Sequence, residues 1–388
     1  MQPTLMRQRD GHEGAKVEMV ELFFDLVFVF AVTQLSHTLL RSLTLQGAAQ
    51  VGLQLLAVWW VWVYTSWVTN WLNPERMPVR VTLFVLMLGG LVLSASIPDA
   101  FRERGLLFAC ALVFMHLGRT LFVVWAVRRE SPILMRNFQR VFVWFSLSGA
   151  CWIAGGLQEG DLRFGWWLGA LMIDLIGPSV YFRVPGLGRS QLAEWNIEGG
   201  HLAERCALFV IIALGESLLV TGATFTEMEW NGTTWAALMA SVIGSILMWW
   251  IYFDTGAERA TQRIRNASDP GRQGRSVYTY VHVLIVAGII VCAVADELVL
   301  AHPHNGTGQA IGVILAGPAC YLVGTSIFKW LTNDRRSPPL SHLVGIVLVA
   351  ALVWPASTHL LTPLWLSAAT TAVLAAVAVW ESVSLHKA

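Results

Sequence analysis

Charged residues are scarce in this chain: Asp, Glu, Lys and Arg together make up 13% of its 388 residues. A soluble globular domain carries about 25%, so this composition excludes an ordinary soluble enzyme or binding domain. The 26 basic and 25 acidic residues nearly balance, and no basic block typical of nucleic-acid binding is present. The sequence also lacks a phosphate-binding glycine loop and a Gly-x-Ser-x-Gly elbow. We therefore predict no nucleic-acid partner, no cofactor and no ATP-driven chemistry.

Cysteine is also rare, with five residues that show no paired spacing. Such cysteines predict free thiols rather than disulfides or a metal centre. One spacing seen in metal sites, His201-x-x-Glu204, supplies only two ligands, which is too few. We predict no metal, and the sequence singles out no catalytic residue. An enzymatic activity is therefore not the first expectation.

Apolar residues dominate instead, at 55% of the chain, with a mean hydropathy of +0.58 and 19 tryptophans. A membrane-spanning helix needs about 20 apolar residues, and the tryptophan-rich runs at 59–62 and 249–250 suggest anchors at the membrane–water interface. The sequence predicts an all-α polytopic membrane protein. Its twelve predicted transmembrane helices lie near residues 18–40, 46–72, 78–97, 105–127, 136–156, 163–183, 201–222, 233–254, 278–298, 309–330, 341–361 and 362–383.

The distribution of basic residues tests this count. Cytoplasmic loops of membrane proteins carry an excess of Lys and Arg. If the N-terminus is cytoplasmic, 20 of the 26 basic residues fall on the cytoplasmic side and 4 on the outside, while Arg119 and Arg205 lie within spans. This imbalance favours twelve spans with both termini in the cytoplasm.

Short similarities in the same order relate the two halves of the chain. AVTQ at 31–34 resembles ALGE at 213–216, and WWVWVYT from Trp59 resembles WWIYFDT from Trp249. Because six helices separate the matches, the halves would be parallel repeats about the membrane normal; the alternative is a chain without duplication. The predicted organisation is a cytoplasmic N-terminal tail (1–17), a first six-helix repeat (18–183), a cytoplasmic linker (184–200), a second repeat (201–383) and a cytoplasmic C-terminal tail (384–388).

Two segments carry a family resemblance. VELFFDLVFVFAVTQLSH, from Val20 to His37, and HLAERCALFVIIALGES, from His201 to Ser217, resemble the bacterial low temperature requirement A (LtrA) family over nearly the whole chain. The resemblance implies a multi-pass protein of the bacterial plasma (inner) membrane, and the family name records a cold-growth phenotype. It implies no established substrate, reaction or catalytic residue.

A more distant resemblance concerns mechanism. FFDLVFVFAVT, from Phe23 to Thr33, is similar to the FSDGVFAIAIT pattern in the first helix of a family of potassium-conducting channels, which are also built from six-helix repeats. Phe24 and Leu26 replace the Ser and Gly of that pattern, and Ala207 stands at the place of the Asp in the second half. The resemblance implies ion conduction, with the pattern present in one half only.

Ionisable residues inside the predicted spans are the candidate functional residues, because charges in a membrane are costly and usually face a bundle interior or cavity. Counted at 1.5 Å per residue, Asp25, Arg119 and Asp174 fall about 10, 12 and 13 Å from the cytoplasmic side. We predict that these three side chains form a cluster with Glu21 and His116 at its edges, and that Glu216 lies in the outer half of the membrane. A structural ion-pair network that locks helix packing is the alternative. The predicted ion or substrate pathway comprises Glu21, Asp25, His116, Arg119, Asp174 and Glu216.

The leading functional hypothesis is a channel or secondary transporter for a cation, a proton or a proton-coupled small solute. A second hypothesis is a membrane-embedded enzyme acting on lipid or a lipid-linked substrate, with Asp25, His116 or Asp174 in acid–base roles. A third is a structural or stress-adaptation role during cold growth, suggested by the family name. The lipid bilayer is the expected partner; the sequence leaves a homo-oligomer, the transported species and the direction of transport open.

Overall fold

A computed structural model describes residues 4–7, 17–191, 197–254, 274–332 and 337–386. These residues are all-α, as predicted, and contain no strand beyond two isolated bridges. A helix or a helix pair lies at each of the twelve predicted positions, and that all twelve cross the membrane stays a prediction. The helices are α1 (Met19–Arg41), α2 (Leu45–Trp71), α3 (Met77–Ser96), α4 (Gly105–Val127), α5 (Pro132–Gly156), α6 (Gly160–Ser179), α7 (Gly199–Glu227), α8 (Gly232–Tyr252), α9 (His282–Ala301), α10 (Gly308–Thr332), α11 (Leu340–Ala351), α12 (Val353–Ser357) and α13 (Pro363–His386).

The chain divides into two compact units. Among the described residues, the first unit holds those up to Thr38 and those from Gln46 to Leu202, and the second holds Leu39–Leu45 and the residues from Ala203 onward. The first unit therefore contains α2 to α6 and most of α1, and the second contains α8 to α13 and most of α7. That the two units descend from one duplicated ancestor remains a prediction.

Ten segments of the described chain are long and apolar enough to cross a membrane, so the protein is a multi-pass membrane protein. The helices that fall short of this criterion are α5 and α6. Their length suffices, but α6 carries Asp161, Arg163 and Asp174, and the N-terminal half of α5 carries Arg136 and Arg140. The predicted eleventh span is divided into α11 and α12 at Leu352.

Local sequence signals explain several helix starts. At α5, the Ser131 hydroxyl accepts a hydrogen bond from the Leu134 backbone N–H, and Pro132 occupies the first turn, where its missing N–H has no cost. At α8, Asn231 and Thr234 cap each other reciprocally. These caps satisfy N–H groups that a helix end would otherwise leave without partners.

The end of α6 lies before the predicted residue 183. Tyr181 and Phe182 adopt left-handed backbone conformations, with φ of 55° and 46°, and the Phe182 N–H donates to the Gly177 carbonyl at 2.8 Å. This six-to-one hydrogen bond is typical of a Schellman ending. The helix therefore stops at Ser179, which leaves Asp174 about 8 Å from the helix end rather than 13 Å.

The most buried span is α2, with 89% of its most apolar window buried, against 28–67% for the other candidate spans. Trp59, Trp60 and Trp62 on α2 are at most 1% exposed. The prediction that this tryptophan run anchors the protein at the membrane interface is therefore wrong. Trp249 and Trp250 on α8 are 47% and 44% exposed, as an outward-facing anchor requires.

In the second unit, α9 and α10 pack with their backbones in close approach. A Cβ atom on Gly288 would lie 2.5 Å from the backbone nitrogen of Tyr321, and one on Gly324 would lie 2.9 Å from the backbone nitrogen of Ile285. Small residues at helix interfaces permit such approach in membranes. The glycines of this pair therefore have a packing role.

Candidate functional site

Residues of neighbouring turns of α2 form hydrogen bonds with two of the predicted site residues, Asp25 and Arg119. The Trp62 indole Nε1–H donates to Asp25 Oδ1 at 2.8 Å. Arg119 donates from Nη1 to the Val61 carbonyl at 2.9 Å and to Thr65 Oγ1 at 3.1 Å. Asp25 and Arg119 are 0% and 1% exposed. Because α2 is the most buried span, it holds both ionisable groups in the interior.

The Arg119 guanidinium also contacts His116, one turn earlier on α4. Its Nη2 donates to His116 Nδ1 at 3.0 Å, and the rings of Tyr64 and Phe145 lie 5.5 and 5.8 Å from the guanidinium carbon, within cation–π range. Since arginine can only donate, Nδ1 must accept, and the His116 proton is assigned to Nε2. That Nε2 atom is buried and has no hydrogen-bond partner in the described part of the chain.

Asp174 on α6 is bound by a second tryptophan. The Trp152 Nε1–H donates to Asp174 Oδ2 at 3.1 Å, and Trp152 is itself positioned by Trp167, whose Nε1–H donates to the Trp152 carbonyl at 3.0 Å. Asp174 is 4% exposed, and its Oδ1 has no partner at hydrogen-bond distance among the described residues. Ser148 lies beside this carboxyl but donates its proton to the Phe145 carbonyl at 3.3 Å, so Oδ1 can still accept a hydrogen bond from a ligand.

The three central residues of the predicted cluster lie in one unit, but no direct ion pair joins them. Arg119 has no carboxylate within 4.0 Å in the described chain, although Asp174 lies within electrostatic reach of it. Each aspartate instead accepts a hydrogen bond from a neutral tryptophan. Arg119 and Asp174 therefore interact over a distance rather than through a direct ion pair.

Glu21, predicted at the edge of the cluster, has a different set of partners. Its Oε2 accepts from Arg7 at 3.1 Å and its Oε1 lies 2.9 Å from His201 Nε2. His201 in turn neighbours Asn70, whose Nδ2 is 3.4 Å from His201 Nδ1. This buried network ties the chain before α1 to the ends of α1, α2 and α7. Glu21 is thus held between two basic groups.

Glu216, the remaining predicted residue, belongs to the second unit and is 2% exposed. It lies about 26 Å along α7 from Gly199 and about 17 Å from Glu227, counted at the helical rise. Glu216 thus lies well inside a candidate span, and its place in the outer half of the membrane stays a prediction.

No three His, Cys, Asp or Glu side chains converge on one point among the described residues. The sequence did not predict four of the contacting residues. These are the two tryptophan donors, Trp62 and Trp152, and the two basic residues that contact Glu21, namely Arg7 and His201. One general rule could have indicated the tryptophans. A buried indole N–H usually has a hydrogen-bond partner, and the buried acids of a membrane span are suitable acceptors. Sequence alone does not say which tryptophan meets which acid.

Comparison with known proteins identifies the family. The family model described as bacterial low temperature requirement A protein (LtrA) matches residues 16–379. The chain is also 42% identical over 384 residues to the protein named Uncharacterized protein RA0937 of Rhizobium meliloti (strain 1021), an alignment that covers 97% of this chain and 92% of that protein. No solved structure matches. Both matches extend over almost the full length, so this chain belongs to the bacterial low temperature requirement A family.

Proposed function

We propose that this protein is a channel or secondary transporter for a cation, a proton or a proton-coupled small solute. It would span the bacterial plasma membrane twelve times, with both termini in the cytoplasm. The pathway would involve the six ionisable residues that the sequence singles out, namely Glu21, Asp25, His116, Arg119, Asp174 and Glu216.

The observation that carries this proposal is the fully buried Arg119, which has no carboxylate within 4.0 Å among the described residues. Burying a charge in a membrane protein costs at least about 2.5–3.5 kcal/mol, and a purely structural role would favour direct pairing with the acids of the same unit. Instead, neutral groups bind Arg119 and Asp174 separately. The Asp174 carboxyl is therefore not neutralised by direct contact with Arg119 and can attract a migrating cation or proton.

Two polar atoms next to these groups support the same interpretation. His116 Nε2 is a buried donor and Asp174 Oδ1 a buried acceptor, and neither has a hydrogen-bond partner among the described residues. A buried polar group without a partner costs about 1–3 kcal/mol, so its retention favours a ligand, a water or a transient proton at that place.

Flux measurements on the purified full-length protein in liposomes test the proposal. We expect wild-type protein to pass protons or an alkali cation, reported by internal pH-sensitive and cation-sensitive dyes. Asp174→Asn removes the charge and keeps the shape, and we expect it to lower the flux about tenfold or more, since the lost stabilisation of a bound cation exceeds about 1.4 kcal/mol.

Asp161→Asn is the matched control, because Asp161 lies on the same helix but is exposed. It removes the same charge and should leave the flux unchanged. Equal flux through wild type and Asp174→Asn, or flux no higher than in protein-free liposomes for every cation tested, would refute the proposal.

A further inference from the structure

A small cavity lies inside the second unit, where α8, α9, α10 and α13 pack together. The centres of water-sized molecules can occupy about 30 Å³ of it. A single water needs about 10–15 Å³ by this measure, so the cavity holds one small ion with one or two waters. A solute as large as an amino acid does not fit.

Side chains that carry oxygen line part of this space, and apolar residues line the rest. Asp296 on α9 contributes a carboxyl group; it is 9% exposed and lines the cavity. Hydroxyl groups come from α8 and α13, and they belong to Ser241, Ser245, Ser367, Thr370 and Thr371. One carboxylate among several hydroxyls is a donor set for a hard cation.

The Ser241 hydroxyl lies beside the Asp296 carboxyl. Ser241 is 3% exposed, and its Oγ makes no hydrogen bond within 3.5 Å among the described residues, so the hydroxyl and the carboxyl can both bind a ligand in the cavity. Thr370, in contrast, donates its proton to the Ser367 carbonyl at 2.9 Å, which leaves the lone pairs of its oxygen free to accept. Both side chains can therefore present oxygen to a cation.

A proline in α10 adds a backbone oxygen. Pro318 lies inside the helix and lines the cavity together with Ile314, four residues earlier. Because proline has no backbone N–H, the Ile314 carbonyl loses its usual helical donor. Interrupted helices of transporters use such carbonyls to coordinate Na⁺. The interruption in α10 therefore lies at the cavity where a cation could use it.

We infer that this cavity is a binding site for a dehydrated alkali cation. The ligands are the Asp296 carboxylate, the Ser241 and Thr370 hydroxyls and the Ile314 carbonyl. A single carboxylate among neutral oxygens matches one positive charge, whereas divalent sites gather several carboxylates. This site lies within the second unit and goes beyond the transport pathway proposed for the ionisable residues.

Equilibrium binding tests the site without any flux. The thermal midpoint of the purified full-length protein in detergent is measured in NaCl, KCl and choline chloride at equal ionic strength, because a ligand that binds only the folded state raises that midpoint. We expect Na⁺ or K⁺ to raise it above the choline value in a saturable manner. Asp296→Asn should abolish the rise, and Ser241→Ala should raise the half-saturating concentration about tenfold.

Pro318→Ala gives a signature that a merely structural role would not produce. The new N–H can bond to the Ile314 carbonyl, so this variant should be more stable than wild type in choline yet bind the cation more weakly. Glu297→Gln is the matched control, since it removes the neighbouring carboxylate, which does not line the cavity. It should keep the wild-type cation response.

A wild-type midpoint that is equal in all three salts, or that responds to pH alone, would overturn the inference, and so would a wild-type cation response in Asp296→Asn. If Asp296→Asn does not fold, unchanged half-saturation in both Ser241→Ala and Pro318→Ala overturns it. Cation binding is measured at equilibrium and without flux, so the two proposals can be refuted separately. A protein that shows no cation binding can still be tested for flux, and a protein that shows no flux can still be tested for cation binding.

Discussion

The hydrogen bond from Trp152 to Asp174 allows a quantitative prediction. The donor and acceptor are 3.1 Å apart and both side chains are buried, at 1% and 4% exposure. A double-mutant cycle of Trp152→Phe, Asp174→Leu and the combined variant isolates this pair, because the packing that Trp152 loses against Trp167 is common to both Trp152→Phe steps. The free energy of unfolding in detergent is the measured quantity.

The size of the coupling follows from the chemistry of the acceptor. We expect Trp152→Phe alone to cost about 2–4 kcal/mol, from the lost donor and the smaller ring. The coupling energy should be about 1.5–3 kcal/mol if the Asp174 carboxyl is ionised, and about 1 kcal/mol if it is protonated. The same experiment therefore reports the charge that Asp174 carries inside the folded protein.

A second cycle provides the control. Trp125 on α4 is 46% exposed, so Trp125→Phe combined with Asp174→Leu should show no coupling. Independent sites add within about 0.3–0.5 kcal/mol. A Trp152–Asp174 coupling below that limit would refute the assignment of the indole as the group that holds the carboxyl.

Two further predictions concern packing in the second unit. Gly288→Ala should lower the free energy of unfolding by about 1–3 kcal/mol because its Cβ would meet the Tyr321 backbone at 2.5 Å. Gly312→Ala is the control and should leave stability unchanged, since a Cβ at Gly312 would have no atom within 4 Å. Equal thermal midpoints for the two variants would contradict this prediction. Lys329→Met should cost about 3–5 kcal/mol by removing the cation that contacts buried Glu381. Adding Glu381→Leu should restore most of that loss, and a double variant as unstable as the single one would show that the ion pair is not the cause.

The positions of the helices could be predicted because the membrane imposes a length and an apolar composition on each span. Departures occur where local hydrogen bonds override that pattern. The left-handed turn at Tyr181 and Phe182 ends α6 early, and no hydropathy pattern encodes it. The break at Leu352 divides one predicted span in two, just before Pro355, which cannot donate to the helix.

The candidate site was predictable in its residues but not in its contacts. Depth along each helix correctly indicated that Asp25, Arg119 and Asp174 are buried, since charged residues in a span avoid lipid. The rotation of each helix about its axis decides which side chains meet, and sequence does not fix this rotation. For this reason sequence does not identify the tryptophan partners, and the position of Asp296 near a predicted span end does not reveal that it lines a cavity.

The buried acids of this protein form two classes by the charge of their partners. Glu21 and Glu381 each contact one cation and one histidine, which neutralises them locally and fixes helix ends. Asp174 and Asp296 lie among neutral donors and hydroxyls, so their fields can act on a mobile cation or proton. Substitutions in the first class should therefore change mainly the free energy of unfolding, whereas substitutions in the second should change flux or cation binding more than stability. If substitutions in the first class changed mainly flux or cation binding, and those in the second changed mainly stability, the charge of the partner would not separate structural from functional acids in this fold.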